Sequence, residues 1–366
     1  MKFTIARENL LPALNMVCGA VERRNNLPIL ANVLVSIEEE RLSLTGTDLE
    51  VELRAEVPLE KGEPGDITVP ARKFLDIVKA LPDKQPVTFQ LGDGRVTVRS
   101  GSNRFTLTTL PASEFPSLEE GPGAVSFDLP QVELRSLFER TQFAIAQGDV
   151  RYYMNGLFLE LKSGRLRAVA TDGHRLALAE ARNPVDASGD FGVIVPRKGI
   201  MELLRLLEPS DQTVKVTVGT NHIRIQTDSY HFVSKLVDGK FPEYEKVIPR
   251  SGDKIMVINR DVLKEALGRA AILCNEKFRG VRLNLKTGQL MLVANNPEQE
   301  EAEIEVDVDY GSSELEVGFN VNYLMDIVNA VKWDKLRFMF SDAASPALAE
   351  EQGGSGTLYL VMPMRL

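Results

Sequence analysis

The chain has 366 residues, of which 43% are hydrophobic and 26% are charged, and its formal net charge is −9 at pH 7. This composition predicts a globular protein of two or three domains, and no apolar run is long enough to predict a transmembrane helix. The acidic balance alone argues against nucleic acid as a partner. Cys18 and Cys274 are expected to be buried thiols in a reducing cytoplasm, and the charged start MKFTIARENLLPAL does not predict a signal peptide.

Short strands and amphipathic helices alternate along the chain. In the second helix, Phe74, Leu75, Val78 and Leu81 recur at helical spacing and form one apolar face. Strongly alternating strands are typical of antiparallel sheets with one solvated face, so the helices are expected to pack on such sheets. The helices are predicted at 7–20, 72–81, 131–141, 197–207, 260–272 and 322–332, and the clearest strands at 87–91, 95–99, 222–226 and 303–308.

One amphipathic sequence occurs three times. It begins as VPARKF at Val69, as VPRKGI at Val195 and as FNVNYL at Phe319, at spacings of 126 and 124 residues. A second set of anchors agrees with this period. The strings LTGTD, AVATD and LVANN end 124 residues apart, at Asp48, Asp172 and Asn296.

The period predicts an α+β protein of three tandem similar domains, each with two helices packed on antiparallel sheets. Stretches rich in proline, glycine and charge mark the boundaries. We place the domains at residues 1–121 (N-terminal), 125–249 (central) and 250–366 (C-terminal). A plain scaffold of three linked domains is the alternative interpretation of the same repeat.

The predicted helices carry an excess of positive charge. They hold thirteen basic and eight acidic residues, which leaves +5 on the helices and −14 on the rest of the chain. Because each apolar face packs on a sheet, the basic side chains are expected on the solvent face, where they could bind phosphates without reading bases. Solubility is the alternative explanation. The basic residues are Arg7, Arg72, Lys73, Lys79, Arg135, Arg140, Arg197, Lys198, Arg205, Arg260, Lys264, Arg269 and Lys332.

The string ATDGHRLAL is the most catalytic in appearance, because Asp172 and His174 could form a general base. No nucleophile motif and no glycine-rich phosphate loop accompany it. The equivalent positions in the other repeats, Asp48 and Asn296, favour a turn in which the side chain bonds its own backbone. We therefore expect no catalysis, no metal and no cofactor.

Two opposite charge patterns suggest self-association. Arg95, Arg99 and Arg104 lie on alternating strands of the first repeat near Phe105 and Leu107. The acidic run NNPEQEEAEIEV lies in the third repeat and lacks the ligand order of a calcium loop. A positive edge on one repeat and a negative edge on another predict head-to-tail contacts, which close into a ring when the rotation permits.

The whole chain resembles the bacterial sliding clamps, the beta subunits of DNA polymerase III. The strings that carry the resemblance include LPIL, LTGTDLE, PARKF, DVRYYMNG, TDGHRLA, KLVDGKFPEY, NEKFRGVRL, NNPEQEEAE, GFNVNY and the terminal VMPMRL. The resemblance implies the DNA-clamp fold, with each chain forming half of a closed ring. A head-to-tail homodimer would enclose duplex DNA without sequence specificity and act as a non-catalytic processivity factor.

The resemblance also implies partners and sites. The expected partners are double-stranded DNA, the replicative polymerase catalytic subunit, the clamp-loader complex, and other polymerases, ligase and mismatch-repair proteins that carry clamp-binding peptides. The expected location is the cytoplasm, at the nucleoid. The DNA-facing candidates are Arg24, Arg72, Lys73, Gln147, Tyr152, Tyr153, Arg197 and Lys198.

One hydrophobic groove per chain is expected to bind the partner peptides, with His174 in its wall. Its candidates are Met154, Thr171, Gly173, His174, Arg175, Leu176, Pro242, Val247, Phe278, Asn320, Tyr323, Leu360, Met362, Pro363, Met364 and Arg365. The dimer-interface candidates are Lys73, Arg95, Arg104, Phe105, Leu107, Ile272, Leu273, Glu298, Glu300, Glu301 and Glu303. A scaffold without DNA, and an enzyme that uses Asp172 and His174, are the competing hypotheses.

Overall fold

A computed structural model of the chain describes residues 1–22, 27–118, 121, 123–249, 252–354 and 356–365. The fold comprises two compact units. The first unit contains Met1–Gln131 and Met201–Leu236, and the second contains Val132–Ile200 and Val237–Leu366. No helix among the described residues is long and apolar enough to span a bilayer.

All six predicted helices are confirmed, with ends that differ by at most three residues. The first helix ends at Val17 and not at residue 20, because Cys18, Gly19 and Ala20 continue as hydrogen-bonded turns onto Leu14, Met16 and Val17. The helices are α1 Arg7–Val17, α2 Ala71–Ala80, α3 Gln131–Thr141, α4 Arg197–Leu206, α5 Arg260–Ala270 and α6 Val321–Ala330.

The strands pair antiparallel throughout the described chain, as the alternation predicts. In the first unit they are β1 Lys2–Ala6, β2 Asn32–Glu38, β3 Arg41–Thr47, β4 Val51–Pro58, β5 Gly62–Glu63, β6 Gly65–Pro70, β7 Pro86–Gly92, β8 Arg95–Ser100, β9 Asn103–Thr108 and β10 Gly123–Pro130, and then β15 Thr213–Gly219, β16 His222–Gln226 and β17 Tyr230–Lys235. In the second unit they are β11 Gly156–Lys162, β12 Arg165–Thr171, β13 Arg175–Glu180, β14 Phe191–Pro196, β18 Lys254–Asn259, β19 Gly280–Lys286, β20 Gln289–Asn295, β21 Glu301–Asp307, β22 Asp309–Tyr310, β23 Leu315–Asn320, β24 Lys335–Phe340, β25 Ala347–Glu351 and β26 Thr357–Val361.

Each unit contains two sheets. The first unit has a five-stranded sheet in the order β5-β1-β7-β8-β9 and an eight-stranded sheet in the order β10-β15-β16-β17-β4-β3-β2-β6. The second unit has a nine-stranded sheet, β14-β11-β12-β13-β26-β25-β24-β18-β22, and a four-stranded sheet, β21-β20-β19-β23. Strands β9 and β21 each lie at the edge of a sheet as described.

The larger sheets join neighbouring sequence repeats. In the first unit β17 pairs with β4, which places Ser234 opposite Val51. In the second unit β26 pairs with β13, which places Val361 opposite Arg175. The central repeat therefore contributes strands to both units, so the compact units do not coincide with the three repeats.

Helix α2 shows why these segments are helical. Its apolar side chains Phe74, Leu75 and Val78 are buried, and Phe74 packs 5.6 Å from the ring of Phe89 on β7. Burying each such side chain contributes about 1.5–3 kcal/mol, which exceeds the weak intrinsic preference of any one residue for helix. The helix face opposite this core stays in solvent.

The prediction that the basic helix residues face solvent is wrong for Arg140 and holds only in part for five others. Those five are half-buried: Arg7, Arg135, Arg197, Lys198 and Arg260. Arg140 of α3 is only 5% exposed, and its Nη1 donates to Glu351 at 3.0 Å. Arg7 is partly buried, because it donates to the backbone carbonyls of Val78 and Lys79 at the end of α2. Arg72, Lys73, Lys79, Arg205, Lys264, Arg269 and Lys332 are exposed as predicted. Cys18 and Cys274 are free and buried, also as predicted.

Candidate functional site

The site in the second unit begins with a tight turn between β12 and β13. Asp172 Oδ1 accepts the amides of His174 at 2.9 Å and Arg175 at 3.0 Å, while the Thr171 hydroxyl donates to the Arg175 carbonyl at 2.7 Å. Gly173 adopts a φ of +87°, which its missing Cβ permits. The predicted backbone-bonding turn is confirmed here, and the same device recurs at Asp48.

Arg175 is fixed at the centre of the site. Its Nε donates to Asp172 Oδ2 at 2.9 Å, and its Nη1 donates to Asp326 on α6. The guanidinium lies over the Tyr323 ring, 4.4 Å from the centroid, and 5.4 Å from that of Phe143. Two carboxylates and two aromatic faces therefore hold the guanidinium in one orientation.

The floor beside this arginine is apolar. Leu176 on β13 stands opposite Leu360 on β26, and both belong to a buried cluster that includes Phe241 and Tyr244. The amides of Val247 and Tyr244 bond back within the turn that follows Pro242, which brings that segment onto the cluster. A solid hydrophobic floor results, with polar groups confined to the turn.

The C-terminal segment forms one border of the floor. The amide of Met362 donates to the His174 carbonyl at 2.8 Å, and the amide of Met364 donates to Gly318 at 2.9 Å. These bonds hold the segment between the β12–β13 turn and β23. The side chain of Met362 remains 40% exposed beside the apolar floor.

The opposite border comes from α6 and the loop before β19. Asn320 caps α6 through the amide of Asn322 and donates its Nδ2 to the Phe278 carbonyl at 3.3 Å. Phe278 and Val247 are 57% and 53% exposed. Large exposed apolar side chains beside a buried floor fit the predicted groove, because such a surface is suited to apolar side chains of a peptide.

All sixteen predicted groove residues lie in the second unit, and the contacts above bring most of them together. Met154 is buried, and its amide donates to the carbonyl of Arg151, whose Nη2 donates to the Asp172 carbonyl at 3.4 Å. Arg365 is exposed at the end of the described chain. The sequence did not point to Phe143 or Asp326. A signal was available for Asp326, which follows Tyr323 by one helical turn.

Of the DNA-facing candidates, those in the second unit cluster near the start of α4. Tyr152 and Tyr153 pack edge to face at 5.9 Å, and Tyr152 is 58% exposed. The amide of Arg197 donates to the carbonyl of Asn155 at 3.1 Å, which places Lys198 and the tyrosine turn on neighbouring segments. Gln147 is exposed in the preceding loop.

The remaining DNA-facing candidates belong to the first unit. Arg72 and Lys73 are exposed at the start of α2, and Arg72 donates to the Cys18 carbonyl at 3.3 Å. Arg24 lies outside the described residues. In the dimer set, Arg95, Arg104, Ile272, Glu298, Glu300, Glu301 and Glu303 are exposed, Phe105 and Leu273 are half-buried, and Leu107 is buried within its own unit.

The hypothesis of an Asp172–His174 base finds no support in the geometry. Both carboxylate oxygens of Asp172 are used, one by backbone amides and the other by Arg175. The His174 ring instead lies against Tyr323, with centroids 6.4 Å apart. A general base needs an orienting partner on its ring, and Asp172 does not serve as one here.

Comparison with known proteins gives full-length matches. Sequence models of the DNA polymerase III beta subunit match at residues 1–119 for the N-terminal domain, 128–243 for the central domain and 245–365 for the C-terminal domain. The beta sliding clamp of Pseudomonas putida is 54% identical over 367 residues, and that of Escherichia coli K12 is 49% identical over 368 residues, with 100% of each chain covered.

Solved structures agree. The DNA polymerase III subunit beta from Pseudomonas aeruginosa matches with a TM-score of 0.97 at 53% identity over 100% of both chains. A sliding clamp from the same organism, solved bound to griselimycin, matches with a TM-score of 0.97 at 54% identity, again over 100% of both chains.

Proposed function

The chain belongs to the DNA polymerase III beta subunit family, the beta sliding clamps, and we propose that two copies of it close into a ring around duplex DNA. It is a DNA polymerase processivity factor, and it acts by tethering and not by turnover. The observation that carries this function is the match of all three family domains, in order, along the whole chain.

Ring closure follows from a pairing rule that the chain already uses twice. At both junctions between repeats, the last strand of one repeat pairs antiparallel with a strand of the preceding repeat. That strand is the one that follows the Asp48 or Asp172 turn, so β17 pairs with β4 and β26 pairs with β13. Their equivalents in the outer repeats, β9 and β21, lie at sheet edges. We infer that β9 of one copy pairs with β21 of a second copy, which gives a head-to-tail homodimer.

The rule also gives a register. Equivalent positions in the three repeats are held by Glu52, Leu176 and Glu301. Each of them stands opposite the last residue of the strand before the turn. The tight turns that precede β17 and β9 make Val233 equivalent to Thr106. Because Val233 stands opposite Glu52, the same pairing sets Glu301 opposite Thr106 and Glu303 opposite Arg104. Opposite charges meet across the strands, which stabilises this pairing over like-charged alternatives.

DNA would be held by enclosure, with weak backbone contacts. Exposed groups such as Arg72, Lys73 and Tyr152 can contact phosphates and sugars, which carry no sequence information. Contacts of this kind weaken steeply with salt and leave the ring able to slide. A polymerase tethered to the ring then sees a high effective concentration of template.

Partner proteins would bind through the groove beside Arg175. We propose that the replicative polymerase, the clamp loader, other polymerases, ligase and mismatch-repair proteins insert apolar peptide side chains there. Exposed Met362 and Phe278 support this, because methionine and aromatic side chains adapt to varied ligands. The function places the protein in the cytoplasm, at the nucleoid.

The test compares how well the protein is retained on circular and on linear DNA of the same sequence. The protein is loaded onto nicked circular DNA with its clamp loader and passed through gel filtration, and the same DNA is then linearised. We expect retention on the circle and loss from the linear form. Equal retention on both forms would indicate adhesion, and no retention on either would favour the scaffold without DNA.

A further inference from the structure

The first unit contains a cavity of about 880 Å³ between α1, the end of α4 and the β4–β17 pair. We call it the junction cavity, and it is defined by Met16, Leu206, Glu208, Asp228 and Tyr230 among its lining residues. Its walls are partly apolar. It shares no residue with the groove or with the DNA-facing candidates.

Tyr230 supplies an unsatisfied polar group to this cavity. The residue is only 4% exposed, and its hydroxyl has no hydrogen-bond partner among the described residues. A buried hydroxyl without a partner is costly, so it marks a place where a ligand atom would be stabilised. The hydroxyl can accept a hydrogen bond from an N–H group as well as donate one.

The lining is acidic. Glu208 and Asp228 border the cavity, and no lysine or arginine is among its described lining residues. Glu56 also lines it, but that carboxylate is already paired with Arg41 and Arg54. A positively charged group with several N–H donors would therefore be attracted to the cavity and could satisfy Tyr230.

The second unit shows what fills the equivalent space. There the guanidinium of Arg140 is buried between Glu351 and the hydroxyl of Thr357, with Nη1 3.0 Å from the carboxylate. Helices α1 and α3 begin 124 residues apart, which makes Met16 the equivalent of Arg140. The strand registers make Thr227 the equivalent of Glu351 and Tyr230 the equivalent of Thr357. The chain thus fills one junction with its own arginine and leaves the other open.

We propose that the junction cavity binds an arginine side chain presented by a partner protein. The guanidinium would take the place that Arg140 occupies in the second unit and would contact Tyr230 and Glu208. The methylene groups would lie along Met16 and Leu206. This site is separate from the groove, so a partner that used both would gain affinity by bivalency.

The probe is N-acetyl-arginine N-methylamide, titrated into the full-length protein labelled with ¹³C at methionine and alanine methyl groups. We expect saturable shifts of the Met16 and Ala55 methyl signals, since both residues line the cavity. The Met362 signal, on the groove, should not move. The lysine analogue should bind more weakly, because it lacks the planar fork of donors, and the norleucine analogue should not bind.

Three variants decide whether the contacts are as proposed. Tyr230→Phe and Glu208→Gln should each weaken binding about threefold or more, because each removes one partner of the guanidinium. Met16→Arg should abolish the response of Ala55, since the new side chain occupies the cavity. Unmoved Met16 and Ala55 signals in the wild type, or equal shifts with the norleucine analogue, would overturn the proposal.

Discussion

Arg175 is the residue that gives the groove a defined shape. Its guanidinium contacts Asp172, Asp326 and Tyr323, which come from the turn and from α6. Because it is largely buried, its loss would leave two carboxylates without their cation beside an apolar floor. The energetic penalty should therefore appear in peptide binding.

We predict that Arg175→Ala weakens binding of a clamp-binding peptide from the replicative polymerase by about tenfold or more. Fluorescence anisotropy of the labelled peptide measures this. Arg337→Ala is the matched control, because it also removes a pair with a carboxylate in the second unit, that of Glu350, at a site outside the groove. Equal peptide affinities of the two variants would show that Arg175 does not contribute to peptide binding.

Cys18 titrates abnormally because it is buried. The thiol is 1% exposed and donates to the Ala71 carbonyl, and burial raises its pKa to about 11 from an ordinary value of 9.0. Between these two pH values the unfolded chain holds fewer protons than the folded chain. Stability must therefore fall as pH rises through this window, while below pH 9 the thiol contributes no pH dependence.

We predict that the wild type loses about 1.4 kcal/mol more unfolding free energy than Cys18→Ser does between pH 8 and pH 10. Urea denaturation at the two pH values measures the difference. The other ionisable groups are shared by the two proteins, so their contributions cancel. Parallel losses in the two proteins would mean that the Cys18 thiol is not protected by burial.

At the scale of elements, the helices could be predicted from sequence, and the strand partners could not. Phe74, Leu75 and Val78 mark α2 through local spacing alone, because a helix bonds within itself. Alternation identifies β4 and β17 as strands but carries no information about which strand lies beside which. Their pairing joins residues such as Val51 and Ser234, which are far apart in sequence.

The proposed pairing of β9 with β21 can be tested through Arg104 and Glu303. Arg104→Glu should weaken dimerisation by about tenfold, because it places like charges opposite each other at Glu303. Combining it with Glu303→Arg restores opposite charges and should recover most of the loss. Sedimentation velocity across a dilution series gives the dissociation constants.

Arg41→Glu controls for the change in net charge, since Arg41 is exposed on β3 in the first unit, outside the β9 edge. We expect it to leave the dissociation constant unchanged. A double variant that dimerises as weakly as Arg104→Glu alone would show that Arg104 and Glu303 do not stand opposite each other.

At the scale of the whole molecule, the three repeats are similar but not interchangeable. The sequence period reveals three domains, yet it cannot show that Arg140 is buried, because its partner Glu351 lies 211 residues away. The groove cannot be seen in the period either, because its parts are far apart in sequence. They come from the β12–β13 turn, α6 and the C-terminal segment. Family resemblance could predict those groove residues because it carries the tertiary contacts that periodicity lacks.

Enclosure predicts that sealing the ring changes release from circular DNA and leaves release from linear DNA unaffected. The proposed register sets Thr106 opposite Glu301, and Cα atoms of opposed antiparallel residues lie within the reach of a disulfide. Thr106→Cys combined with Glu301→Cys, loaded on nicked circular DNA and then oxidised, should stay bound through a high-salt wash that removes reduced rings. Linearising the DNA should release oxidised and reduced rings alike, because the sealed ring slides off an end. An oxidised ring that stays on linear DNA would show that adhesion, and not enclosure, holds the protein.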